Sequence, residues 1–327
     1  MKIVVIGLGS MGKRRLKLLK GEYKDIDIIG VDLDSKRRES VEENFGINTY
    51  DSLELAVNEE RPDAAVISTS PLSHSNIILK CLDLGLHVFT EINLVKDKYE
   101  EIINKAKEKK LEIFLSSTQL YREEIKEIES RLSACTQRVN YIYHIGQYLP
   151  DWHPWESYKD FFVSDKRTNG CRELFAIELP WIFKIFGKLK DITVKKDKIS
   201  KLDLDYNDSY LCILEHENGN KGIVCIDVVS RKAISNLEVY GEEIYLTWEG
   251  TPDSLKVMNL ESKMIENINT YNDVKKDDKY AENIIENPYL EELKTYINKI
   301  NGINNVRYTF EDDLYTLSIV DKIEEEV

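Results

Sequence analysis

The sequence predicts an α/β chain of two domains, the first built on a doubly wound parallel sheet and the second an α+β domain with a mainly antiparallel open sheet. Over the first 120 residues, short apolar runs alternate with helical patterns. From Ile192 to Met258, strand patterns joined by short turns dominate. A length of 327 residues suits two domains. We therefore expect one domain over residues 1–120 and the other over residues 121–327.

The N-terminal elements follow one another as βαβ units. The first strand is predicted over Lys2–Ile6 and the first helix over Met11–Leu19. The further strands are predicted at Ile26–Val31, Ala64–Ser68, His87–Phe89 and Ile113–Leu115. The further helices are predicted at Asp51–Asn58, Ser73–Leu84 and Lys98–Lys109.

The second half begins with an amphipathic helix at Glu123–Leu132 and a strand at Arg138–Leu149. An apolar helix follows at Leu174–Phe186, and the chain is expected to end with a helix at Pro288–Ile300. The strands between them are predicted at Ile192–Lys196, Ser209–Glu215, Gly222–Val229, Leu237–Tyr240, Ile244–Trp248 and Leu255–Val257. The turn cluster Glu217–Lys221 should close a hairpin.

Composition and charge exclude several classes of partner. The formal net charge of −14 argues against nucleic acid and anionic membranes, which need clustered Lys and Arg. The longest apolar runs are too short to span a membrane, and we expect no signal peptide. The five cysteines form no CxxC pair, which is typical of reduced thiols in a cytoplasmic protein. Histidines and cysteines show no metal-ligand spacing, so we expect no metal.

Three glycines follow the first strand directly, in the pattern Gly7-x-Gly9-Ser10-Met11-Gly12. The first permits a tight turn, the second a close backbone approach to a pyrophosphate, and the third close packing of helix on strand. The pyrophosphate would meet the N–H groups and positive dipole end of the first helix. The pattern therefore predicts a Rossmann domain that binds a nicotinamide dinucleotide.

An acidic residue, Asp32, ends the second strand 20 residues beyond Gly12. A carboxylate there can accept hydrogen bonds from both ribose hydroxyls and would repel a 2′-phosphate, which favours NAD over NADP. The cations at 36–38 can counter that repulsion, so NADP remains the second choice.

The next segments resemble the Gfo/Idh/MocA oxidoreductases, the family of glucose–fructose oxidoreductase and inositol dehydrogenase. The resemblance lies in the strand at 63–69, the loop Ser70-Pro71-Leu72-Ser73-His74, and the segment at 84–91. It implies a Rossmann domain followed by an α/β domain whose open sheet often mediates oligomers. It also implies substrates that are sugars, sugar phosphates or nucleotide sugars. The segment at 146–154 (GQYLPDWHP) resembles members linked to bacterial surface-sugar synthesis.

The chain departs from this family where catalysis takes place. Ile92 stands where the family's E-K-P segment has a lysine beside the reacting hydroxyl, and Asn93 replaces the proline. The family's G-G-x-x-x-D-x-x-x-H helix start corresponds to residues 170–178 here. Our alignment puts Leu174 at the acid and Ile177 at the histidine, and a shift of one residue brings Glu173 or Glu178 into these roles.

Charged side chains in the apolar helix are the first substrate-site candidates, because such charges need a partner or a water-lined cavity. Arg172 suits an anionic group of the substrate, Glu173 a substrate contact and Glu178 a general base. The alternative, a structural ion pair, is equally compatible with the sequence.

Aromatic and imidazole groups supply further candidates. Trp152 can line a sugar site, and His153 can accept a proton near neutral pH; the alternative is a packed aromatic loop. Tyr121 can donate a hydrogen bond to substrate, or make a hinge contact instead.

Four further residues are expected at the cofactor site. Thr69, Ser70 and His74 belong to the loop after the third predicted strand, where His74 lines the site or caps its helix. Glu91 ends a strand at the carboxyl edge of the sheet, where such sheets bind ligands.

These observations predict an NAD-dependent oxidoreductase that acts on a carbinol of a sugar derivative, with His153, Glu178 or Tyr121 as proton acceptor. The alternative is a partner or regulatory protein that binds NAD or a sugar nucleotide without turnover, which Ile92 favours. The open sheet suggests a homodimer or homotetramer.

Overall fold

The computed structural model describes residues 1–153, 156–276 and 284–325, and it divides the chain into two compact units. Unit 1 comprises residues 1–118 and 289–315. Unit 2 comprises residues 119–288 and the described residues from 316 onwards. Pro154 and Trp155, which belong to the predicted aromatic loop, lie outside the described residues.

Unit 1 contains a six-stranded sheet in the order β3-β2-β1-β4-β5-β6, and every neighbouring pair is parallel. Its strands are β1 (Lys2–Ile6), β2 (Asp27–Val31), β3 (Thr49–Tyr50), β4 (Ala64–Ile67), β5 (His87–Thr90) and β6 (Ile113–Leu115). The order reverses between β1 and β4, so the predicted doubly wound sheet is confirmed.

The helices of unit 1 follow the strands in sequence. They are α1 (Ser10–Glu22), α2 (Ser35–Phe45), α3 (Leu53–Glu60), α4 (Pro71–Asp83) and α5 (Tyr99–Lys109). The sequence analysis did not predict α2, because this helix is mostly charged and buries only Val41. Asp34 caps it by accepting hydrogen bonds from the backbone N–H groups of Lys36 and Arg37.

Residues 289–315 belong to unit 1, which corrects the predicted continuous second domain over 121–327. They include most of α8 (Asn287–Ile300) and the start of α9 (Phe310–Glu325). Tyr296 of α8 packs edge-on against Phe89 and donates a hydrogen bond to the carbonyl of Ala65. The sequence does not predict that these residues return to unit 1, because the contacting partners lie more than 200 residues apart.

Unit 2 contains an eight-stranded sheet in the order β14-β13-β12-β11-β7-β10-β9-β8. Its strands are β7 (Asn140–Gly146), β8 (Leu189–Asp197), β9 (Ser209–His216), β10 (Lys221–Asp227), β11 (Ile234–Tyr240), β12 (Tyr245–Trp248), β13 (Lys256–Met258) and β14 (Ile265–Asn267). All pairs are antiparallel except β7 with β10. The mainly antiparallel sheet and the β9–β10 hairpin are therefore confirmed.

Among the described residues, two α-helices lie wholly in unit 2: α6 (Glu123–Ser133) and α7 (Gly170–Phe186). Aromatic pairs join α7 to one face of the sheet: Trp181 with Tyr143, Phe186 with Tyr141 and Phe175 with Tyr210. The opposite face carries exposed apolar side chains, including Ile142, Leu211, Ile213 and Ile223. Only one face of this sheet is therefore covered by α7.

The final helix, α9, is absent from the sequence prediction. Its first turn carries Glu311, Asp312 and Asp313, which stabilise a helix N-terminus but obscure an apolar face. In the described ranges, no helix combines the length and apolarity needed to cross a membrane.

Candidate functional site

The turn between β1 and α1 has the geometry that its glycines predict. Gly7 has a φ of +89°, which side-chain-bearing residues rarely adopt. A Cβ atom on Gly12 would lie 1.8 Å from the carbonyl oxygen of Gly7. Only glycine at position 12 therefore allows the first turn of α1 to pack on the end of β1.

The N-terminus of α1 is open to an anion. Gly9 occupies the N-cap position, no side chain caps the helix in the described structure, and the first turn carries no acidic residue. A Cβ atom on Gly9 would have only the Arg37 guanidinium nearby, at 3.8 Å. The positive end of the helix dipole and the space above Gly9 suit a diphosphate. These residues fit the predicted dinucleotide.

Asp32 lies at the end of β2 and helps to shape the glycine turn. Its Oδ2 accepts a hydrogen bond from the N–H of Leu8 at 2.7 Å, and its Oδ1 accepts one from the N–H of Asp34 at 2.9 Å. The exposed Arg37 guanidinium lies 3.6 Å from Oδ2, whereas Arg38 donates to the backbone carbonyls of residues 32 and 33. Arg37 is thus the cation best placed to meet a 2′-phosphate.

The loop after β4 is held by its own polar groups. Thr69 and Ser73 share a hydroxyl hydrogen bond of 2.8 Å, and Ser73 donates to the carbonyl of Ser70. His74 is buried on α4, with Nε2 3.0 Å from the carbonyl oxygen of Thr69 and Nδ1 2.8 Å from Asn93. Burial lowers the pKa of His74, and the bonds to Asn93 and Thr69 oppose that effect. His74 therefore stabilises the loop that carries Thr69 and Ser70.

Glu91 takes part in a buried ion cluster that the sequence analysis did not foresee. Arg15 donates to both of its carboxylate oxygens, at 2.6 and 3.0 Å, and also to Glu292 at 2.8 Å. Glu292 accepts further bonds from residues 116 to 118. The sequence signal was Arg15 itself, a cation on the face of α1 that also buries Leu16 and Leu19. A contact from Glu91 to the cofactor stays a prediction.

The residue that the predicted resemblance aligns with the family lysine, Ile92, carries no charge. Ile92 is partly exposed and its side chain is hydrocarbon, so it cannot exchange a proton. Asn93, at the proline position, is buried and bonded to His74 and Tyr99. Any proton transfer must therefore use another group.

Glu178 in unit 2 is buried and surrounded by donors. It accepts hydrogen bonds from Tyr143 at 2.8 Å, Trp181 at 2.6 Å and Gln119 at 3.2 Å. Burial raises the pKa of Glu178, although these three bonds oppose the shift. The alignment of Leu174 and Ile177, or of Glu173 and Glu178, with the acid and histidine of the family motif stays a prediction.

Glu173 differs from Glu178 in having one carboxylate oxygen without a hydrogen-bond partner among the described residues. This oxygen, Oε2, is shielded from solvent. Burial raises the pKa of Glu173 to about 8. A shielded carboxylate oxygen without a donor is costly to the fold, and groups with perturbed pKa values are enriched at functional sites.

Arg172 has the geometry of the structural alternative. Its guanidinium donates to Asp321 at 2.6 Å and also to Glu324. Since two carboxylates of α9 already hold the side chain, nothing in this geometry supports its predicted contact with an anionic substrate. The ion pair instead fixes the start of α7 to α9 within unit 2.

The other candidates differ in exposure. His153 is partly exposed, with Nδ1 2.8 Å from Glu156, and its ring packs on Phe161. Trp152 is partly buried and donates its indole N–H to the carbonyl of Gln147. Tyr121 is buried, with 4% of its surface exposed. All three residues lie in unit 2, as does Glu178.

Residues 1–116 match the model of the oxidoreductase family with an NAD-binding Rossmann fold, Gfo/Idh/MocA. The match covers the N-terminal domain and makes it similar to this family. The predicted resemblance and the predicted NAD-binding class of this domain are therefore confirmed. No curated protein sequence matches the chain.

Solved structures share the fold across almost the whole chain. An oxidoreductase from Agrobacterium radiobacter, solved with NAD⁺, L-tartaric acid and magnesium, has a TM-score of 0.81 at 14% identity, covering 98% of this chain and 94% of that one. Myo-inositol 2-dehydrogenase from Lactobacillus plantarum gives 0.79 at 14%, covering 99% and 96%. UDP-N-acetylglucosamine 3-dehydrogenase from Acidithiobacillus ferrooxidans gives 0.77 at 14%, also covering 99% and 96%. At this identity the likeness shows the fold alone.

Proposed function

We propose that the protein is an NAD-dependent oxidoreductase that transfers hydride between the nicotinamide and a carbinol carbon of a sugar derivative. The observation that carries this proposal is the open N-terminus of α1 between Gly7, Gly9 and Gly12, with Asp32 at the end of β2. NAD supplies the redox chemistry when bound. The protein binds and orients both reactants and accepts the hydroxyl proton.

The proton acceptor in this proposal is Glu173. Its carboxylate, whose Oε2 has no hydrogen-bond partner among the described residues, has a pKa of about 8. This value is close to the pH at which a general base works best. Glu178 is already bonded to three donors, so its role is to hold Tyr143 and Trp181 in place. Tyr121 and the pair of His153 with Glu156 remain the alternative proton carriers.

A sugar derivative is the proposed substrate class. Two proteins of the same fold are dehydrogenases of a cyclic polyol and of a nucleotide sugar. Trp152 supports the proposal because an indole can pack against a sugar ring.

A direct assay tests the proposal. Purified protein is mixed with NAD⁺ and a panel of sugars, sugar phosphates and nucleotide sugars, and the absorbance of the reduced nicotinamide is followed. A substrate-dependent increase is expected with at least one compound. The absence of a change with every compound, despite NAD binding, would contradict the catalytic proposal.

A non-catalytic NAD-binding protein is the second candidate, and Ile92 is the observation that favours it. Ile92→Lys separates the two candidates. If the wild type and Ile92→Lys both bind NAD tightly and are both inactive, the protein is a binding protein. If only Ile92→Lys is active, the wild type has lost the family's catalytic site.

Asp32 should determine the cofactor preference. Asp32→Ser is expected to weaken NADH binding at least ten-fold and to strengthen NADPH binding, because it removes the charge that faces a 2′-phosphate while Arg37 remains. Fluorescence titration measures both Kd values. In Asp32→Ser/Arg37→Ala the gain for NADPH should vanish; a gain that persists would exclude Arg37 as the phosphate ligand.

The exposed sheet face in unit 2 is proposed to form a homodimer. Ile142, Ile223 and Ile213 occupy directly paired positions on three adjacent strands, and all are exposed. Ile213→Lys is expected to give a monomer in light scattering after gel filtration. Ile199→Lys, at an exposed isoleucine outside the strands, is the matched control and should leave the assembly unchanged. A wild-type monomer would contradict the proposal.

A further inference from the structure

A chain of buried hydrogen bonds runs through unit 1 beside the proposed cofactor loop. It links Thr69 to His74, Asn93, Tyr99 and Asp313. The last four residues each expose 2% or less of their surface. In such a setting an unsatisfied polar group destabilises the fold, so the donors and acceptors along this series of hydrogen bonds must match.

The hydrogen bond at the Thr69 end of this series determines which ring nitrogen of His74 carries a hydrogen. Its Nε2 lies 3.0 Å from the backbone carbonyl of Thr69, and a carbonyl oxygen can only accept. Nε2 must therefore carry the hydrogen. The opposite ring nitrogen, Nδ1, meets the side-chain amide of Asn93 at 2.8 Å.

Two arrangements satisfy every link between His74 and Asp313. In one, His74 is protonated on both nitrogens, the Asn93 oxygen accepts from Nδ1, the Asn93 nitrogen donates to Tyr99, and Tyr99 donates to ionised Asp313. In the other, the amide is reversed, so that Asn93 donates to Nδ1 and Tyr99 donates to Asn93, while Asp313 is protonated. Both arrangements keep the hydrogen on Nε2.

We propose that Asn93 and Tyr99 are positioning residues for the dinucleotide site, because they hold the His74 ring where its Nε2–H meets the Thr69 carbonyl. This inference rests on the proposed role of Thr69 and Ser70 in NAD binding. Asn93 stands at the family's proline position, and a proline there has no side-chain amide with which to bridge His74 and Tyr99. The link between His74 and Tyr99 thus depends on Asn93, a residue by which this sequence departs from the family.

A double-mutant cycle tests the positioning role. Asn93→Ala and Tyr99→Phe are each expected to raise the Kd for NADH about five- to ten-fold. In a His74→Leu background, Asn93→Ala should have no further effect, because Asn93 acts through His74. His74→Gln should retain most of the affinity, since its amide can still donate to Thr69. Kd values within two-fold of wild type for both single variants would overturn the proposal.

Nitrogen-15 NMR of the histidine rings gives a readout that a general loss of stability would not move. Wild-type His74 should keep Nε2 protonated from pH 6 to 8, and Asn93→Ala should show a mixture of tautomers; an unchanged spectrum in that variant would overturn the proposal. Tyr50→Phe is the matched control, because it also removes a tyrosine–carboxylate bond in unit 1, to Glu60. It should change neither the His74 spectrum nor the Kd.

Different results would contradict the proposed cofactor site and the proposed positioning role. If the wild-type protein bound neither NADH nor NADPH, the proposed cofactor site would be overturned. If the wild type bound and the variants bound equally well, the positioning role alone would be overturned.

Discussion

Gly12→Ala is expected to abolish measurable NAD binding and to lower the free energy of unfolding by about 3 kcal/mol or more. The new Cβ atom would lie 1.8 Å from the carbonyl oxygen of Gly7, so the turn and the helix cannot both keep their places. Since backbone cannot move aside as a flexible side chain can, the diphosphate site at the start of α1 is lost. Calorimetric titration with NADH and denaturant unfolding measure the two effects.

Gly21→Ala is the matched control in the same helix. Gly21 lies in the last turn of α1, and a Cβ atom there meets nothing within 4 Å. Because alanine favours helix over glycine, this variant should gain about 0.5–1 kcal/mol of stability and bind NADH as the wild type does. Wild-type NADH affinity in Gly12→Ala would contradict the proposed diphosphate site.

Glu173→Gln is expected to lower kcat by about 10²- to 10⁴-fold while leaving the Kd for NADH unchanged. The amide keeps the shape of the side chain but cannot accept the hydroxyl proton. Steady-state kinetics on the substrate found by the panel assay, together with NADH titration, separate the loss of chemistry from a loss of cofactor binding. A kcat within three-fold of wild type would exclude Glu173 as the acceptor.

The pH profile should carry the signature of Glu173. For oxidation of the carbinol the carboxylate must be deprotonated, so kcat/KM should rise with pH until about 8 and then level off. For the reverse reaction the group must hold its proton, so the rate should fall above about pH 8. The inflection should be absent in Glu173→Gln.

The free energy of unfolding should show that ionising the Glu173 carboxyl destabilises the folded protein. The pKa of Glu173 is higher in the folded protein than the ordinary 4.5, so the folded state binds the proton more tightly and wild-type stability falls as pH rises from 4.5 to about 8. Glu173→Gln should therefore exceed wild type by about 1–3 kcal/mol at pH 8, and by much less at pH 5. Glu217→Gln, at an exposed glutamate of the β9–β10 hairpin, should show neither effect. Equal stability of Glu173→Gln and wild type at pH 8 would show that Glu173 is well solvated.

The sequence predicted the dinucleotide-binding unit because its signals are local. A β-branched strand, three glycines, a helix and Asp32 lie within 32 residues, and each imposes its own constraint on the backbone. The β9–β10 hairpin was equally accessible, since a turn cluster joins its two strands directly. The missed helices, α2 and α9, lack this advantage because charged residues hide their apolar faces.

Burial and pairing of charges were beyond the reach of the sequence. The sequence is compatible with either a substrate contact or an ion pair for Arg172. In the structure, Arg172 pairs with carboxylates of α9, about 150 residues away. Glu173 and Glu178 are five residues apart on one helix, yet Oε2 of Glu173 has no donor among the described residues, whereas Glu178 accepts three hydrogen bonds.

By itself, the sequence determined that residues 1–116 form a Rossmann domain of the NAD-binding class. Only the tertiary structure decided that residues 289–315 return to that domain, where Glu292 meets Arg15 across 277 residues, and that Asn93 joins His74 to Tyr99. The physical reason is that backbone geometry follows from neighbouring residues, whereas the state of a buried polar group depends on partners that only folding brings into contact.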